Sequence, residues 1–284
     1  MTGEIGATLA FGVLALLLIL TGKRRGFFDF PMQEWDVPVR LLYLLGAFAI
    51  YFLVTSLVVS FTLKFLRSQL MSDYLSYSSW LNFSISFLIF VLLSIYFLFL
   101  PKNIRMGILR RPNEPHSAKE DLWAALYSWI LAFPLVLFLS QAIEIIVFKI
   151  FKVTQLPDQI AVKFLKSTFE NPLYFTLAAI AIVILAPLIE EALFRGFLQT
   201  YIRRHLGPKQ AIVITSVCFS LFHYASGQGL GNISIIISLF VLSLFLGFTY
   251  HKQGSLLASV FLHGLFNLVS VVNLYLFGGF TTGL

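Results

Sequence analysis

The sequence predicts an all-α fold, a polytopic transmembrane helical bundle of about eight spans. Three observations carry that reading. Of 284 residues, 58% are hydrophobic and 12% charged, whereas a soluble domain carries roughly 25% charged residues. Mean hydropathy is +0.88. Several apolar runs reach the ~20 residues needed to cross a bilayer core. Polar linkers of domain size, low-complexity tracts and obvious repeats are missing from the sequence, so it reads as a single membrane domain.

Each span is read as a helix from its hydropathic length. The first, about 5–21, follows Met-Thr-Gly-Glu with no positive region before it, which favours a retained span over a signal peptide. The runs 41–63 and 80–100 contain no charged residue. The fourth, 122–146, contains Gln141 and Glu144 near its outer end, read as interfacial or packing groups. The fifth, 172–198, ends its apolar stretch in Glu190, Glu191 and Arg195. The sixth, 209–224, ends with His223 four residues after Phe219. The seventh, 233–250, is uncharged, and the eighth, 255–278, contains His263 and Asn267. The remaining histidines, His116, His205 and His251, fall in loops and read as solvated.

Lys and Arg set the expected orientation. Loops after the first, third, fifth and seventh spans hold thirteen basic residues, against six on the opposite side. Positive residues favour the cytoplasmic side, so both ends of the chain are expected outside it. The segment 147–171 is basic and amphipathic and is expected to lie on the membrane surface. The pI near 9.5 thus reflects membrane topology, and no nucleic acid is implied. The single Cys218 sits in an apolar run, so no disulfide framework exists. The connection "SGQGLGN" at 226–232 reads as a flexible link.

Ionisable groups inside a membrane are rare and mark functional sites by default. On a helix, residues four apart share a face and neighbours diverge by about 100°. Glu191 and Arg195 are therefore placed to pair, which makes a buried cation tolerable. Glu190 points elsewhere and lacks that partner. His263 and Asn267 share a face and can present two groups to one ligand. Helical rise puts Glu190 about 15 Å, His223 about 21 Å and His263 about 12 Å from the basic end. Three polar groups from three helices can meet at that depth.

The chemistry such a set can do is water activation. A carboxylate in an apolar bundle is a stronger base than one in water. A histidine beside it can orient the water, and a second histidine with an amide can stabilise a developing oxyanion. Glu190, His223 and His263 could equally hold zinc with one position open. No H-E-x-x-H spacing supports that alternative.

The run "EEALFRG" resembles the E-E-x-x-x-R motif of the CPBP intramembrane proteases, which include CaaX prenyl endopeptidases and Abi-like bacteriocin-processing and immunity proteins. "FSLFH" resembles that family's F-x-x-x-H motif and "HGLFN" its H-x-x-x-N motif, in the family's order and on separate spans. The resemblance covers about 172–270. It implies a water-activating Glu190, a partner His223, and His263 with Asn267 at the oxyanion, with Glu191, Arg195 and Phe219 in support. It also implies a cavity facing the cytoplasm and open sideways to lipid, with no obligatory cofactor or metal. The expected organisation is spans of unassigned role over 1–150 and a catalytic transmembrane core over 172–278. The expected partner is a membrane-embedded or lipidated protein or peptide, cut in a prokaryotic plasma membrane by a site opening toward the cytoplasm. A non-catalytic immunity or scaffold protein of the same family is the alternative.

Overall fold

The computed structural model describes residues 2–30, 35–65, 73–112, 117–153 and 155–277; His116, and Arg67, one of the six basic residues counted on the opposite side, lie outside them. The described residues form ten helices: α1 (Thr2–Arg24), α2 (Leu41–Phe65), α3 (Tyr74–Phe99), α4 (Lys102–Leu109), α5 (Ala118–Phe151), α6 (Ile160–Ser167), α7 (Pro172–Leu206), α8 (Pro208–Phe222), α9 (Gly231–Gln253) and α10 (Leu256–Phe277). Seven of these are long and apolar enough to cross a membrane. The chain is a multi-pass integral membrane protein.

The difference from the expected eight spans lies in α8. Its 15 residues rise only about 22 Å, short of a ~30 Å hydrocarbon core. The helix stops at His223, and the following loop is fixed by Asn232 rather than loose. The Asn232 side chain accepts from Ala225 N at 3.1 Å and donates to Ala225 O at 2.8 Å and to Gly229 O at 3.1 Å. The 226–232 connection is therefore a hydrogen-bonded cap with a short 3-10 turn at Ser226–Gln228.

α9 is the central helix, packed against α5, α8 and α10, while α1 lies along the outside of α5. Two apolar clusters hold the bundle. One joins α2, α3 and α4 to Leu193, Phe194 and Phe197 of α7. The other joins α5 to Leu242, Phe245 and Leu246 of α9 and Leu262 and Phe266 of α10. Two sequence expectations change here. His251 is a buried residue of α9, packed on Phe30 and Trp35, because the helix runs on to Gln253 instead of ending near 250. Glu144 is buried between α5 and α9, where Ser234 Oγ donates to it from 3.4 Å.

The basic loops gather at one end of the bundle. There Asp121 pairs with Arg110 at 2.8 Å and accepts from Ser255 at 2.7 Å, and Lys252 donates to Gly26 O at 2.8 Å. The opposite end carries the α5–α7 connection. Its helix α6 folds back onto the bundle, with Leu165 buried in a small apolar cluster with Ala178, Val271 and Leu274.

Candidate active site

Both glutamates sit on a helix whose backbone register is broken twice. α7 contains π-helical stretches at Ala181–Leu185 and Ala192–Gln199, with Ala186–Glu191 between them. Pro187 supplies a reason for the first. It has no N–H, so carbonyls one turn back lose their donor, and a π register is one way the chain accommodates this. α10 answers those carbonyls. Asn267 Nδ2 donates to Ile182 O at 2.8 Å. A Cβ on Gly264 would stand 3.1 Å from Val183 O, so the missing side chain lets the two helices close.

Glu191 is fully buried and its Oε1 accepts twice, from Arg195 Nη1 at 2.9 Å and from His263 Nδ1 at 2.8 Å. Arg195, also without exposure, donates through Nη2 to Ser243 Oγ at 2.8 Å and Ser243 O at 3.3 Å on α9. Its guanidinium lies 4.6 Å from the centre of the Phe219 ring. The i,i+4 pair read from the sequence is present, and its carboxylate also orients His263.

Glu190 faces the other way. Its Oε2 lies 3.8 Å from His223 Nε2 and 3.9 Å from His263 Nε2 and has no hydrogen-bond partner. The tautomers follow from the far side of each ring. His223 Nδ1 is 2.9 Å from Phe219 O, and a carbonyl only accepts, so Nδ1 carries the proton. His263 Nδ1 faces the Glu191 carboxylate held by Arg195, which also only accepts. In the neutral rings, both Nε2 atoms turn a lone pair toward Glu190. Three acceptors around a gap of this width fit a small donor such as water.

Glu190, His223, His263 and Asn267 line one cavity of about 200 Å³. Asn267 thus shares the cavity with the histidines while one of its N–H groups is committed to Ile182. Phe219 is fully buried beneath both histidine rings, at 4.8 and 5.9 Å between ring centres. From the N-terminal half, Tyr51 of α2 comes within electrostatic reach of Glu190. Among the described residues no group of three or more His, Cys, Asp or Glu side chains is arranged to hold a metal ion.

The cavity's lining extends toward one end of the bundle. From Glu190 it runs past Asn267, Ser270 and Leu274 toward Gln159, Val162 and Leu165, the end opposite the basic loops. The sequence reading put the basic loops and the mouth of the site on one side. In the structure the residues that line the cavity beyond Glu190 come from α6 and the second half of α10, at the end away from those loops.

Sequence reasoning missed Ser243, Pro187 and Gly264. Ser243 had a signal: a buried guanidinium has five donors and one carboxylate cannot satisfy them, so a hydroxyl on a facing apolar helix was to be sought.

With this geometry in view, comparison with known families is informative. Residues 172–269 match the family described as type II CAAX prenyl endopeptidase Rce1-like. This segment is a CPBP-family domain. It starts at the first residue of α7, ends within α10, and contains all the site residues named from the three motifs. The family consists mainly of intramembrane proteases. Comparison of the chain with curated proteins and with solved structures returns no match.

Proposed function

We propose that this CPBP domain is an intramembrane endopeptidase that hydrolyses a peptide bond of a membrane-associated protein or peptide by glutamate-activated water, with a prenylated CaaX-type C-terminus as the substrate class its family suggests. One observation carries the reading: Glu190 Oε2, without a hydrogen-bond partner, stands 3.8 and 3.9 Å from two imidazole nitrogens in an apolar cavity. A water seated there donates one hydrogen to Glu190 and the other to His223 Nε2. As its oxygen attacks the substrate carbonyl, Glu190 takes the first proton. The carbonyl oxygen becomes an oxyanion, which the second N–H of Asn267 can meet, joined by an Nε2–H of His263 when that ring enters the step already protonated from solvent and keeps the proton throughout. Glu191, on the other side of that ring, accepts from Nδ1 and holds its orientation. When the C–N bond breaks, Glu190 returns its proton to the leaving amine, and the balance closes without a further reactant.

The test is cleavage in detergent of farnesylated and unlipidated peptides by wild type and Glu190→Ala, read by product mass. Cleavage by the wild type alone supports the reading. Equal cleavage by both proteins, or by neither, sinks it. Activity lost to a chelator and restored by zinc would shift the mechanism to the metal alternative. Labelling of single cysteines near Gln159 and near Lys102 in intact cells separates the substrates further. A prenylated cytoplasmic C-terminus needs the Gln159 end inside, whereas the basic loops favour it outside.

A further inference from the structure

A second polar group lies near the cleft and has no part in the chemistry above. Glu144 is 7% exposed and lines a recess of about 50 Å³ between α5, α9 and the loop before α6. Ser140 and Ser234 lie 3.1 Å apart beside it, and Ser234 Oγ donates to Glu144 from 3.4 Å. Ser238 lines the same recess at 8% exposure, and its hydroxyl has no hydrogen-bond partner. Asp158 adds a second carboxylate at the rim, itself paired with Lys166 at 2.8 Å. A buried hydroxyl without a partner, in one small space with a buried acid, is a group that still lacks a ligand.

The recess adjoins the catalytic cavity. Gln159, Leu239 and Phe266 line both. Ser234, at the recess, is eight residues from Leu242, at the cavity, which is about 12 Å along α9 at helical rise. An extended peptide covers that distance in three to four residues at ~3.3 Å each. The space admits only a few waters' volume, at ~10–15 Å³ each. That suits a compact ammonium with three donors better than a planar guanidinium.

On the hydrolase reading above, we propose that the Glu144 recess is a specificity subsite of the same cleft, and that it takes a primary-ammonium side chain of the substrate three or four residues from the scissile bond. Glu144 takes the charge, Ser238 and the Ser140–Ser234 pair take the remaining donors, and the walls Val136, Ile235 and Phe266 cover the aliphatic stem.

The experiment is a peptide series cut by the purified full-length protein, with lysine, norleucine or glutamate placed in turn two to five residues from the scissile bond on either side. In the wild type, kcat/KM is expected to favour lysine over norleucine at least tenfold at one position three or four residues away, with glutamate worst there. In Glu144→Gln that ratio is expected to fall to within twofold of unity. Ser238→Ala, which keeps the carboxylate, is expected to reduce it severalfold and serves if Glu144→Gln does not accumulate. No lysine preference in a wild type that cuts the series overturns the subsite and leaves the hydrolase intact. A preference that survives Glu144→Gln unchanged also overturns it. Failure of the wild type to cut any peptide sinks the hydrolase reading and the subsite with it.

Discussion

Around Glu191 the structure is closed: an arginine, a histidine and, through the arginine, a serine of another helix converge on one buried carboxylate. Around Glu190, the adjacent residue on α7, it is open. That carboxylate faces two histidines across 3.8 and 3.9 Å and a cavity beyond. Even the closed region is imperfect as a structural device, since Glu191 Oε2 and Arg195 Nε have no hydrogen-bond partner. A buried ion pair with unmet valences is a poor source of stability. Its use is to hold His263 in one tautomer and one orientation, facing the open carboxylate. On the proposed mechanism, one region fixes a ring and the other uses it.

The largest effect that would break this contrast is at the open carboxylate. Glu190→Gln keeps the shape and removes the proposed base, so kcat/KM is expected to fall about 10³- to 10⁴-fold. The melting temperature should hold or rise, because no partner is lost and a desolvated charge is removed. A variant that loses stability along with activity would show that Glu190 belongs to the framework.

The closed region should respond in the opposite order. Arg195→Met leaves Glu191 buried without its cation and is expected to cost about 3–5 kcal/mol of stability. Glu191→Leu with Arg195→Met removes both charges and is expected to recover most of that stability in denaturant melts. Activity should stay low in the pair, because His263 Nδ1 has lost its carboxylate. Recovery of both properties together would reduce the cluster to packing.

Much of this contrast was legible in the sequence, for a physical reason. Intramembrane polar groups have only one another to answer them, so Glu190, His223 and His263, each on a different apolar helix, had to be brought together or be costly. Helical spacing likewise gave the Glu191–Arg195 pair. Hydropathy could not show where α8 stops, because 211–222 carries no charge up to the helix end, while the loop after it is held by Asn232, beyond the run. The π stretches were hidden because a shift from i+4 to i+5 leaves composition untouched. The direction of the cavity was hidden too. Loop charges report topology, whereas the cavity's lining depends on how α6 folds back against α10, which is a matter of packing.

A smaller effect is expected at Asn267, where the two regions touch through the backbone. Asn267→Ala removes one proposed oxyanion donor and is expected to lower kcat about 10²-fold. It also strips Ile182 O of its donor beside Pro187, which should cost about 1–3 kcal/mol in stability. A fall in stability with kcat unchanged would assign Asn267 to the π stretch alone.

The smallest effect should come from Ser243, and it tests whether the closed region reaches α9. Ser243→Ala removes the Oγ that accepts from Arg195 Nη2 at 2.8 Å but leaves the Ser243 carbonyl at 3.3 Å from the same nitrogen. Loss of one charge-assisted hydrogen bond with a fallback acceptor is expected to cost about 1–2 kcal/mol. Because Glu191 and His263 keep their contact, kcat/KM should change by less than about fivefold, under ~1 kcal/mol of barrier. A double-mutant cycle with Arg195→Met should show a coupling of at least about 0.5 kcal/mol. If the two substitutions simply add, Arg195 is held by Glu191 and the Phe219 ring alone, and the central helix has no part in aiming His263.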